Sequence, residues 1–399
     1  MNPGASARRG MKIFYVYYAL LYMINACSAV FSIYFQSIGF SVAQIGQILA
    51  VGSAVSLLAQ PIWGKAGDRA KSKIRVVQLL ALLLVLVVAA MPFSGSYGYV
   101  LLVFTLFFFL VIPLIPMTDA LTIEYMDRTG GHYSVVRACG PLGFGLISLT
   151  LGPLLNGRPT YVFYLLVAIL ALVALLGFKV PSLPHTPLPE GALPKRAPMR
   201  DLFKDKGLLL LLGFLVLMQI SHNFYAAFEA VFCSDISGGD NNLIGCSMAL
   251  CSVSEVIFLL FADKLWRAIG TRKLLLISSA FMMLRYFGLA LVAQPAMLLV
   301  MDMTHAFCFA ATTFALARYI ARSVVPELQI SGQMLVWVLA QSFAKIVSTL
   351  FGGMLVDAMG GIQPVFWIAG GLVAAAAAAF ILLSKKVRDP EQEWLALHI

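Results

Sequence analysis

Gly64-Lys65-Ala66-Gly67-Asp68-Arg69-Ala70-Lys71-Ser72-Lys73 is a basic turn between two apolar runs, 43–63 before it and 75–93 after it. Each run approaches the roughly 20 residues a helix needs to cross a hydrocarbon core. Working outward, similar runs recur near 13–35, 97–126, 133–156, 160–179, 208–233, 243–262, 274–293, 296–320, 328–356 and 363–384, about twelve spans in all. Of 399 residues, 61% are hydrophobic and 12% charged, and the mean hydropathy is +0.91, far outside the range of soluble domains. The chain reads as an all-α integral membrane protein. Arg8, Arg9 and Lys12 precede an apolar run too long for a signal-peptide core, and Met11 offers an alternative start.

A net charge of +10 would suit nucleic acid if it were clustered on one soluble face, but it is distributed by loop. Lys65, Arg69, Lys71, Lys73 and Arg75 share the first basic loop, and Lys195, Arg196, Arg200, Lys204 and Lys206 the central one. Lys264, Arg267, Arg272 and Lys273 follow span 8, and Lys385, Lys386 and Arg388 follow the last span. With an even number of spans these fall on one side, while the opposite loops carry Arg158. The bias places both termini and the central loop in the cytoplasm of a multi-pass cell-membrane protein. The charge is read as topology and contact with anionic lipid, with no nucleic-acid partner.

Residues 180–206, with Pro181, Pro184, Pro187, Pro189, Pro194 and Pro198, cannot form a membrane helix. They divide the chain into an N-terminal six-helix bundle (1–179), a cytoplasmic linker (180–206), and a C-terminal six-helix bundle with a tail (207–399). Arg267-Ala-Ile-Gly270-Thr-Arg272-Lys273 echoes the first basic turn at the equivalent place, as two related halves predict. The cysteines, Cys27, Cys139, Cys233, Cys246, Cys251 and Cys308, lack metal-like spacing. Cys233 and Cys246 flank one external loop and are expected as free thiols, although a disulfide is open to them.

Ionisable residues inside spans are costly and normally face a cavity or one another. Those here are Asp119, Glu124, Arg137, His222, Glu229, Glu255, Arg285, Asp302, His305 and Lys345. Asp119 or Glu124 can pair with Arg137 across spans 4 and 5, either fixing the helices or presenting the planar guanidinium to a ligand. Lys345 is expected to neutralise Glu229 or Asp302. Tyr18, Tyr22 and Asn25, with Tyr225 and Phe228, either line a cavity or simply fill space. There is no G-x-x-x-x-G-K-[ST], H-E-x-x-H or G-x-S-x-G, and no selectivity-filter sequence, so ATP-driven transport, enzyme and channel readings lack their motifs. Gly140-Pro-Leu-Gly-Phe-Gly145 reads as close helix packing.

The basic turn resembles the loop between helices 2 and 3 of the major facilitator superfamily, G-x-x-x-D-R-x-G-R-[RK], with Lys71 and Ser72 departing from it. In that family the glycine allows close approach and the aspartate sits near a helix N-terminus, which implies a gate at Gly64, Asp68 and Arg69. Pro116-Met-Thr-Asp119-Ala-Leu and Tyr133-Ser-Val-Val-Arg137-Ala-Cys-Gly140 resemble segments of the phenylpropionate-permease-like branch, related to nucleoside and oligosaccharide proton symporters. His222-Asn-Phe-Tyr225, Ser254-Glu255-Val-Ile-Phe258, Leu284-Arg285-Tyr286 and Thr304-His305-Ala-Phe307 are similar to that branch too, while Cys139, Asp302 and Lys345 depart from it.

The resemblance implies two six-helix bundles and alternating access, with no cofactor and a proton gradient as energy source. Glu255, Arg285, Asp302 and His305 resemble in placement the proton-coupling set of lactose permeases, which implies Glu255 as proton carrier and Arg285 as its modulator. Tyr22, Asn25, Asp119, Glu124, Arg137, His222, Tyr225 and Lys345 are the expected substrate cavity. The expected activity is proton-coupled symport of a small organic solute, such as a sugar, nucleoside or aromatic acid, by a monomer. Efflux antiport is the alternative, supported by Gly152-Pro153-Leu-Leu-Asn156-Gly157. A transport-dead sensor or scaffold is the alternative of another class.

Overall fold

The computed structural model describes residues 3–70, 72–129, 133–181, 206–323, 335–336 and 338–384. Without water in the membrane core, backbone groups must be satisfied within a segment, and the apolar runs accordingly form helices. No strand occurs among the described residues. The first half contains α1 (Pro3–Ala29), its short continuation α2 (Phe31–Ser37), α3 (Val42–Arg69), α4 (Lys73–Ala90), α5 (Tyr97–Val111), α6 (Leu114–Thr129), α7 (Tyr133–Gly157) and α8 (Tyr161–Gly177). The second half contains α9 (Lys206–Ile236), α10 (Asn242–Ala290), α11 (Pro295–Asp302), α12 (Ala311–Ser323), α13 (Ala344–Met359) and α14 (Ile362–Ser384).

Boundaries follow local chemistry. Ser41 accepts from the Gln44 N–H while the Gln44 side chain accepts from the Ser41 N–H, a capping box that starts α3. The run 97–126 is broken at Ile112–Pro113, because proline lacks an N–H and crowds the preceding turn. α10 holds two spans in two arms, which meet at Gly270 with φ +76°, a conformation that favours glycine. Nine helices among the described residues are long and apolar enough to span a membrane, α10 counting once and α8 falling just short. Residues 182–205 of the expected linker, and 328–334 and 337 of the expected span 11, lie outside the described residues.

The halves meet along two seams of small residues. On α7, Pro141, Gly145, Ser148 and Gly152 recur at helical spacing and face the first arm of α10. A Cβ on Gly152 would fall 2.6 Å from Asn242 Cα, one on Gly145 3.3 Å from Ser252 Oγ, and one on Gly245 would strike the Ser148 carbonyl. Ser252 Oγ donates to the Pro141 carbonyl at 2.6 Å. The second seam joins α3 to α13: a Cβ on Gly353 would lie 2.7 Å from the Val42 oxygen, and Ser56 and Ser342 hydroxyls are 3.4 Å apart. Close backbone approach of this kind replaces the hydrophobic drive that lipid cannot supply.

At the end away from the basic loops the halves are also clasped by polar groups. Asn156 Nδ2 donates to Asp240 Oδ1 at 2.7 Å, and the Asn241 N–H donates to Asn156 Oδ1 at 2.8 Å. The Ala43 N–H donates to Asp357 Oδ2 at 3.2 Å, and Gln36 of α2 bonds Asp235 of α9. Asp240 is solvated, and hydrogen bonds from the Asn242 N–H and Asn156 hold its carboxyl below the usual aspartate range.

Candidate functional site

Two charged clusters occupy the interior. In the first half, Arg137 Nη1 donates to both oxygens of Asp119, at 2.9 and 2.7 Å. The Tyr18 hydroxyl also bonds Asp119, and the guanidinium lies 5.7 Å from the Tyr22 ring centroid. Tyr22 packs over Gly140, which leaves room for that ring. Arg137 continues the α7 stripe one turn beyond Pro141, and Glu255 continues the α10 stripe beyond Ser252. The two are electrostatic neighbours across the halves. Asn25 of α1 is exposed.

The second cluster is deeper. Arg285 Nη2 donates to Asp302 Oδ1 at 2.5 Å, with side-chain exposures of 1% and 0%. The Tyr225 hydroxyl donates to the same oxygen at 2.7 Å, and its ring lies 4.4 Å from the guanidinium. Arg285 Nη1 is 3.0 Å from His305 Nδ1. Since arginine only donates, Nδ1 accepts and the ring proton sits on Nε2. Ser247 Oγ lies 2.6 Å from Glu229 Oε1 and 2.5 Å from Asp302 Oδ2. His305 directly precedes a π-helical turn, Ala306–Ala310, a distortion that accompanies functional sites.

His222 stacks on Phe309 at 4.6 Å and sits 5.5 Å from His305. Lys345 is an electrostatic neighbour of His222. It lies on α13 between Ser342 and Thr349, on the face turned to α3. Among the described residues it has no ion pair, and this corrects the expectation that it neutralises Glu229 or Asp302.

Other expectations change as well. Glu255 was expected beside Arg285, but Arg285 is engaged by Asp302 and His305, and the charged neighbour of Glu255 is Arg137. Glu124 was expected in the cavity, yet it lies 3.9 Å from Lys73 near the basic end. At the expected gate, a Cβ on Gly64 would meet open space, whereas one on Gly67 would fall 2.6 Å from Met117 Cε. Arg69 is exposed, and the Asp68 side chain lies outside the described residues. All six cysteines are free. Ser247 and the Asn156 clasp were missed. No local signal marks Ser247, whose role depends on Glu229 and Asp302 meeting around it in three dimensions.

Relatives agree with this architecture. The chain is 27% identical over 361 residues to a maltose permease of Geobacillus stearothermophilus, covering 89% of each chain. It is 26% identical over 346 residues to a probable 3-phenylpropionic acid transporter of Escherichia coli strain K12, covering 84% of this chain and 88% of that one. The crystal structure of the nucleoside transporter NupG superimposes with a TM-score of 0.82 at 17% identity, covering 96% of this chain and 100% of that one. A bacterial homologue of the lysosomal transporter Spinster, inward-facing and unoccupied, gives 0.80 at 14% identity, covering 96% and 98%. These likenesses accompany a match of residues 9–368 to the MFS_1-like family model, and the chain belongs to that family of major facilitator transporters, multi-pass membrane proteins rather than enzymes.

Proposed function

We propose that the protein imports a small organic solute together with protons by alternating access, from the cell membrane, with both termini and the basic loops cytoplasmic. The observation that carries this reading is Arg137 of one half facing Glu255 of the other where the α7–α10 seam ends. A solute held between them bonds to both halves at once, so its binding energy acts on their relative position. The clasped end is then the outer gate. Energy comes from the proton gradient, without a cofactor.

Lys345 favours a solute bearing a carboxylate. An ammonium among membrane helices without an acidic partner is costly, and an anionic ligand offsets that cost. The E. coli relative named for 3-phenylpropionic acid fits this class, while the maltose permease keeps neutral sugars in the test.

The test is solute-driven proton movement in proteoliposomes containing an external pH dye. The panel is 3-phenylpropionate, maltose, uridine and an amphiphilic cation. Protein-free vesicles run in parallel, because weak acids cross bare bilayers unaided. External alkalinisation above that background with one solute, absent in Glu255→Gln, supports symport. No protein-dependent proton movement with any solute, or uptake that follows sodium instead, overturns it.

A further inference from the structure

We infer that Glu229, Ser247 and Asp302 form the proton-binding site, with one proton shared by two carboxyls and carried on Glu229. The coupling role of this proton rests on the reading above; its presence does not.

The first argument is a count of hydrogens. Ser247 Oγ is within 2.6 Å of Glu229 Oε1 and 2.5 Å of Asp302 Oδ2. A hydroxyl has one proton to donate, and an ionised carboxylate can only accept. Both contacts are hydrogen bonds only when one of the two acids also carries a proton. The second argument is a count of charge. Arg285, 1% exposed, gives Nη2 to Asp302, and no lysine or arginine forms an ion pair with Glu229 among the described residues. One guanidinium balances one carboxylate. Asp302 also accepts from Tyr225 and is therefore the ionised member, which leaves the proton on Glu229.

A third observation is independent of these contacts. Arg285 Nε is buried and has no hydrogen-bond partner. Unmet buried donors are rare and costly, and this one belongs to the single cation of the cluster. When Glu229 releases its proton to water, the new carboxylate needs a charged donor, and the unmet Nε–H of Arg285 is the one in reserve while Nη2 keeps Asp302. The remaining neighbours are Cys233 and Tyr225 on α9 and Cys251 on α10, none of them cationic. A carboxylate oxygen of Glu229, one of Asp302 and the Cys251 sulfur lie within 4.8 Å of one another, so sodium, bound by the carboxylate oxygens, is the competing occupant.

The test is infrared difference spectroscopy of the purified protein in lipid, without any solute, scanning pH. The expected result is a protonated-carboxyl C=O stretch at neutral pH that is lost in Glu229→Gln, retained in Glu255→Gln and unmoved by sodium. Ser247→Ala keeps both acids and removes the bridging hydroxyl. It is expected to shift the frequency of that band, which guards against failure of the glutamine variant to fold. Absence of the band in the wild type, its survival in Glu229→Gln, or its loss on adding sodium overturns the proposal. In the proteoliposome assay Glu229→Gln is expected to exchange 3-phenylpropionate across the membrane while moving at least about tenfold fewer protons. Undiminished proton movement in that variant overturns its coupling role and leaves symport standing. A Glu229-dependent band in a wild type that moves no protons overturns symport and leaves the site standing.

Discussion

Arg137–Asp119 and Arg285–Asp302 are the same pair of residue types at nearly the same sequence separation, 18 and 17 residues. Their surroundings differ. The first pair has side-chain exposures of 38% and 24%, the second of 1% and 0%. A half-exposed pair is screened and can exchange partners at modest cost. A pair removed from solvent cannot, because separating it leaves an uncompensated buried charge. On the function and proton site proposed above, the contrast suits the first pair to contact with solute and the second to charge balance around Glu229.

The largest effect expected from breaking this contrast comes from Asp302→Ala. It leaves the Arg285 guanidinium without its carboxylate at 1% exposure, a cost of about 3–5 kcal/mol. Thermal unfolding in detergent should show a large fall or no folded protein, and the Arg285→Leu, Asp302→Leu double variant should recover most of it. An unchanged midpoint for Asp302→Ala would remove the distinction between the pairs. Arg137→Met, by contrast, should cost about 1 kcal/mol or less in the same assay, yet weaken solute uptake by about 10- to 100-fold through lost charged hydrogen bonds. Lys345→Met sharpens the comparison on the solute side. Uptake of 3-phenylpropionate should fall by about tenfold or more while uptake of a neutral sugar, if there is any, is unaffected. Equal losses for both would place Lys345 in the scaffold rather than at the solute.

What could be read from the sequence tracks how local each feature is. Membrane spans and the basic turns are legible because length, hydropathy and loop charge act within one segment. The close-packing glycines of 140–145 are legible as a class, yet their partners are not. Gly140 meets Tyr22 while Gly145 meets Ser252 in the other half, a choice fixed by helix rotation. The same rotation decides that Gly67 packs and Gly64 does not. Charged residues were found as candidates because each is conspicuous in an apolar run, but partners were misassigned where several were available. Arg285 could have met Glu255 or Asp302, and only the three-dimensional placement of α11 selects Asp302. Ser247 was invisible for the opposite reason, since serine is ordinary in membrane helices and acquires meaning only between two carboxyls.

The two pairs also differ in distance from the closed end, and this gives the smallest predicted effect. Ser247, which touches Asp302, is five residues along α10 from Asn242 at the clasp, about 8 Å at 1.5 Å per residue. Arg137 sits near the opposite end of α7 from Asn156. Opening the clasp should therefore expose the buried pair first. Cys251, buried beside Arg285 and Asp302, is a native reporter, and exposed Cys246 is its internal control. Asn156→Ala removes both hydrogen bonds made by the Asn156 side chain, leaving the Ala43–Asp357 and Gln36–Asp235 contacts. Maleimide labelling of Cys251 from that side should rise by about three- to tenfold relative to Cys246. Acid should act in the same direction. The Asp240 carboxyl lies below its ordinary range, so its contribution to closure is complete above that range and is lost as pH falls through its own value. Labelling in the wild type should thus stay flat through neutral pH and climb only under strongly acidic conditions, whereas Asn156→Ala should show a weaker acid dependence. A Cys251 rate that ignores both the substitution and the acid would mean that the seam glycines, rather than the Asn156–Asp240 clasp, keep this end shut.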